Sequence, residues 1–166
     1  MVICDNCKTE NKIGAKFCCE CGQKLLFQSN KKIKLTNNEY EEFYREKANS
    51  TNVVLINVLS ISESLNNTGI SYEMASFIRK KLKNEKNQLL KILEKFNSVY
   101  PPNIFVNVHE NFISATKDLL EGIIEFCNAL KLGSQEHMDK GGFLAEWAGS
   151  KYTKSIDEFI NIINNP

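Results

Sequence analysis

From Thr36 onward the chain places apolar residues at alternating steps of three and four, the spacing that gathers side chains onto one face of an α-helix. Four such stretches follow one another. The first, about residues 38–66, carries Tyr40, Tyr44, Val54, Val58, Ile61 and Leu65, with Lys47 and Thr51 at the polar gaps in the stripe. Thr36 with Glu39 three residues later is a capping-box start, and Asn67-Thr68-Gly69 breaks the pattern. The second, about residues 71–99, has Ser71 as N-cap and the stripe Ala75, Ile78, Leu82, Glu85, Leu89, Ile92, Phe96 and Val99. Pro101-Pro102 stops it, because proline lacks an amide donor and restricts the residue before it. The third, about residues 103–131, carries Phe105, His109, Phe112, Thr116, Leu119, Ile123, Phe126 and Leu130, and Gly133 suits its C-terminal turn. The fourth, about residues 134–164, carries Phe143, Leu144, Trp147, Ala148, Tyr152, Ile156, Phe159, Ile160 and Ile163. The adjacent Gly141 and Gly142 predict an irregular start there, or a helix that begins nearer Gly142, since each costs about 1 kcal/mol in a helix interior.

Four long helices with short connections predict a mainly α chain, an antiparallel up-down four-helix bundle over residues 36–166, about 40 Å long. The stripes place the single tryptophan, Trp147, in its core. They also place Thr51, Glu85 and Thr116 in one middle layer, with Lys47, Lys151 and Tyr152 near it. A Lys47–Glu85 pair there is geometrically open, against the alternative that both long side chains turn out to solvent. Cys127, in an apolar helical stretch, reads as a small core residue.

The first 27 residues follow a different logic. Cys4-Asp5-Asn6-Cys7 and Cys18-Cys19-Glu20-Cys21-Gly22 are two Cys-x-x-Cys knuckles joined by a short polar loop. Two such knuckles offer four thiolates to one tetrahedral zinc ion at about 2.3 Å. The expected ligands are Cys4, Cys7, Cys18 and Cys21, with Gly22 at the tight turn after the second knuckle. Cys19 is a spare thiol: an exchange ligand for Cys18, a reactive thiol polarised by the metal, or a small residue on an exposed turn. Residues 28–35, with Lys31, Lys32 and Lys34, read as a basic linker.

Residues 4–25 resemble the short zinc ribbons found at the start of many bacterial and archaeal proteins. The likeness rests on the two knuckles, on Gly14-Ala15-Lys16-Phe17-Cys18 and on Gly22-Gln23-Lys24-Leu25. Asp5 and Lys8 depart from the Pro and Gly usual at those positions. The resemblance implies a few tiny strands and one structural zinc ion held by four cysteines; it covers none of the helical stretches.

Composition narrows the function classes. The chain of 166 residues has a net charge of +1, which gives no bulk attraction to nucleic acid or membrane. Residues 1–35 hold seven lysines against three acids. No apolar leader is expected ahead of Cys4, no run is long enough to cross a bilayer, and zinc thiolates suit a reducing interior, so a cytoplasmic location is expected. His109 and His137 stand apart, no Glu-x-x-His pair or phosphate-binding glycine loop is present, and no residue is assigned a catalytic role. The expected function is a non-enzymatic interaction or regulatory protein, with the ribbon docking to a protein partner and the bundle as its scaffold. One alternative is a nucleic-acid-associated protein that meets phosphates with the ribbon lysines. Another is a small-ligand binder or enzyme that uses the polar layer in the bundle.

Overall fold

A computed structural model of the protein describes residues 2–3, 6–7, 9–11, 17–22, 32–67 and 71–165. The chain divides into two compact units, Met1–Ile33 and Lys34–Pro166. Residues 28–31 of the expected linker, the loop residues 12–16, and Gln23-Lys24-Leu25 lie outside the described residues.

In the first unit, β1 (Val2–Ile3) pairs antiparallel with β2 (Glu10–Asn11), Val2 opposite Asn11 and Ile3 opposite Glu10. In the second unit the Leu35 amide meets the carbonyl of Tyr100 in the short strand β3 (Val99–Tyr100) at 3.5 Å.

The second unit is four helices packed against one another: α1 (Asn37–Asn67), α2 (Tyr72–Asn97), α3 (Val106–Leu132) and α4 (Gln135–Asn164). Their ends follow local chemistry. The Glu39 carboxylate accepts from the Thr36 amide at 2.8 Å and from its hydroxyl at 2.7 Å, while the Glu39 amide reaches back to the Thr36 hydroxyl at 3.4 Å. Ser71 and Ser134 cap α2 and α4 by accepting from the amides of Met74 and His137. Gly133 closes α3 in the left-handed region at φ 65°, its amide on the Ala129 carbonyl at 2.8 Å. Between α2 and α3 the two prolines impose extended backbone, then a 3-10 turn over Asn103–Phe105, so α3 starts later than its stripe suggests.

The core is aromatic at the end where α1 begins and α2 finishes. Phe96 stacks on Phe112 at 4.2 Å between centroids, Tyr44 on Phe159 at 4.2 Å and Tyr40 on Phe105 at 5.0 Å. Their hydroxyls are satisfied. The Ser155 hydroxyl donates to the Val108 carbonyl at 3.1 Å, so the Tyr44 hydroxyl is the donor to Ser155 at 2.8 Å. Tyr40 meets His109 Nδ1 at 3.0 Å, and Tyr152 donates to the Ala48 carbonyl. Leu35, ahead of α1, also packs on this core.

Two expectations are corrected and one open alternative is decided. The helix α4 runs unbroken through Gly141 and Gly142, because the glycines admit a close neighbour: a Cβ on Gly141 would lie 2.9 Å from the Phe126 ring, and one on Gly122 3.1 Å from the Gly141 carbonyl oxygen. Trp147 is outside the core, 50% exposed, stacked parallel to exposed Phe143 with Lys151 over its ring. The inward face of α4 is Gly141, Ala145, Ala148, Tyr152, Ser155 and Phe159; where α3 and α4 approach closely, small residues fit and an indole does not. The Lys47–Glu85 pair does not form. Lys47 pairs with Glu46 at 2.7 Å, and buried Glu85 accepts from Asn57 at 3.0 Å. Thr51 and Thr116 are buried as expected, Thr116 donating to the Phe112 carbonyl, whereas Lys151 binds Asp118 at 2.6 Å. The polar layer is thus split into separate contacts, and the buried Thr51 hydroxyl has no hydrogen-bond partner among the described residues.

Candidate metal centre

The strands β1 and β2 pair antiparallel on either side of Cys7 in sequence. The second knuckle turns at Gly22, whose φ of 68° lies in the left-handed region that glycine enters without strain, its amide on the Cys18 carbonyl at 3.0 Å. Cys7, Cys18 and Cys21 come together: their sulfurs all lie within 4.8 Å of one another, and those of Cys7 and Cys18 are 3.4 Å apart. Sulfurs bound at about 2.3 Å around a tetrahedral ion sit roughly 3.8 Å from each other, so the spacing fits one shared metal. Cys4, the fourth expected ligand, lies outside the described residues.

At Cys18 and Cys7 the surroundings favour the thiolate. The amide of Cys21, then that of Glu20, donates to the Cys18 sulfur and brings its pKa down to about 6, against the opposing effect of burial. The Thr9 hydroxyl, 3.2 Å from the Cys7 sulfur, and the Thr9 amide hold Cys7 below its ordinary value. No described cysteine is in a disulfide. Cys19, next to the cluster in sequence, is exposed and is not part of it. Cys127 is half-buried against the helical core, and burial pushes its thiol up, which is the behaviour of a packing residue.

Asn11 and Thr9 escaped the sequence reading. Asn11 is 4% exposed although it is polar and lies in a small unit. Its only sequence signal is a short amide side chain between two knuckles, able to donate and accept at once. Phe17, beside Cys18, is 58% exposed.

The helical unit holds no comparable cluster among the described residues. The nearest is an α3–α4 tie in which Glu125 accepts from Lys140 and meets His137 Nδ1, both at 2.6 Å. A polar groove of about 390 Å³, lined by Glu110, Asn111, Lys154, Asp157 and Glu158, lies along the same two helices. Among the described residues no helix is long and apolar enough to cross a membrane. No family model matches the chain, and comparison with curated proteins and with solved structures finds no match either.

Proposed function

We propose that the N-terminal unit is a zinc ribbon and that the protein is a non-enzymatic interaction or regulatory protein, in which the ribbon docks to a protein partner and the helical bundle is the scaffold. The observation that carries the reading is the convergence of Cys7, Cys18 and Cys21, with donors aimed at the sulfurs of Cys18 and Cys7. Cys4 would complete the set in the knuckle spacing. Zinc suits four thiolates in a closed structural site, where it has no open position for substrate. When bound, it supplies folding free energy to a unit too small to bury enough apolar surface by itself. The chain's own residues favour the thiolate at Cys18 and Cys7 and keep Cys18 buried. Exposed Phe17 on the second knuckle gives the ribbon an apolar contact point for a partner. The likeness of residues 4–25 to zinc ribbons supports the metal, and thiolate ligands for zinc suit a reducing, cytoplasmic setting.

Metal analysis and affinity capture together test the reading. The purified chain is expected to carry one zinc ion, lost in Cys18→Ser and retained in Cys19→Ser. A partner captured by the intact chain should be lost with Cys18→Ser and with Phe17→Ala. Metal-free protein from cells would sink the zinc ribbon, and capture that survives both substitutions would sink the docking role.

A further inference from the structure

Asn11 touches both residues of the Cys18-Cys19 dipeptide. Its Nδ2 lies 2.8 Å from the Thr9 carbonyl and 3.6 Å from the Cys18 sulfur, and its Oδ1 accepts from the Cys19 amide at 2.8 Å. The orientation of the amide is fixed by these partners: the Thr9 carbonyl can only accept, and the Cys19 N–H can only donate. The side chain therefore ties the end of β2 to the second knuckle at the point where two adjacent cysteines compete to face inward. With the Cys19 amide held and the Cys18 sulfur met by a donor, Cys18 is buried at 3% exposure and Cys19 is turned to solvent.

We propose that Asn11 is a positioning residue of the metal centre, which selects Cys18 over Cys19 as the ligand and donates to its sulfur. This rests on the metal reading above. Groups that orient a ligand and bond to it govern affinity although they never touch the ion, and their loss commonly costs 10- to 100-fold in binding.

The test uses the full chain and its Asn11→Asp, Asn11→Ala and Cys19→Ser variants, with Co²⁺ and Zn²⁺ in competition with a chromophoric chelator. Aspartate keeps the acceptor for the Cys19 amide but puts a carboxylate oxygen where the donor to sulfur stood. Asn11→Asp and Asn11→Ala are each expected to lose 10- to 100-fold in affinity. The sulfur-to-cobalt charge-transfer band should move to lower energy in both, since a thiolate without its donor gives up charge more readily. Cys19→Ser should leave affinity unchanged beside Asn11 and lower it further in Asn11→Ala, where Cys19 is free to substitute. Affinity within twofold and an unmoved band in Asn11→Asp would overturn the sulfur contact and with it the proposal. So would a Cys19→Ser change that is silent in both backgrounds. A wild-type chain that takes up no cobalt into thiolate coordination would instead remove the metal reading itself.

Discussion

Trp147 shows how a single position can satisfy a periodic pattern and still face water. Its spacing from Leu144 and Ala148 fits a stripe, but the stripe is broad and the inward edge is occupied by glycine, alanine and serine. Sequence periodicity gives the angle of a residue around its helix to within about a quarter turn; which edge is inward depends on how near the neighbouring helix comes. Trp147→Ala is therefore expected to cost about 1 kcal/mol or less, as a surface residue with a parallel aromatic neighbour and a lysine above it. Iodide should quench its emission in the native state, and blue-shifted, protected emission would contradict the placement. Glu85 gives the converse lesson. The sequence placed it on the buried stripe, where it is, but its partner is Asn57 rather than Lys47, because an amide on the facing helix reaches the carboxylate while Lys47 has Glu46 beside it.

At the scale of elements, caps and stops were the most legible features, since Thr36, Ser71, Gly133 and Ser134 act through bonds to residues within five positions. The α3–α4 contact was not legible, because the glycines that permit it look like helix breakers until Phe126 is seen against them. Gly141→Ala is expected to destabilise the protein by roughly 1 kcal/mol net, crowding against the Phe126 ring outweighing the gain in helix propensity. Phe126→Leu beside it should make the pair of changes cost less than their sum, which a double-mutant cycle on thermal melts reads directly. The Glu125 tie between the same helices has a pH signature. Lys140 first and His137 second hold its carboxyl below the ordinary value of 4.5. A depressed folded pKa gives stability that is present above the unfolded value and lost as pH falls through the folded one. The melting temperature of Glu125→Gln should accordingly lie below wild type at neutral pH, and the gap should close below about pH 4.5. A gap that stays constant into acid would show that the charge contributes nothing.

For the whole molecule, the four-helix architecture was readable from Thr36 onward because one stripe per helix and short connections leave few other arrangements. The metal centre was readable as ligand types and spacing, whereas Asn11 and Thr9 were not, since a side chain that serves a neighbour's sulfur carries no pattern of its own. The helical unit has its own core, and residues 34–166 alone are expected to keep helical circular dichroism and a cooperative melt that a chelator does not shift. Loss of that melt would tie the bundle's stability to the ribbon. The glycine-lined seam between α3 and α4 also bears on the order of assembly. These two helices are joined by the shortest connection in the bundle, Gly133-Ser134, and a seam of such low sequence separation is reached early in the search for the native state. Crowding it with Gly141→Ala should slow refolding, whereas trimming Leu55 on α1 to alanine should mainly hasten unfolding, so that stopped-flow kinetics would separate the helix pair that nucleates from the helix that closes over it.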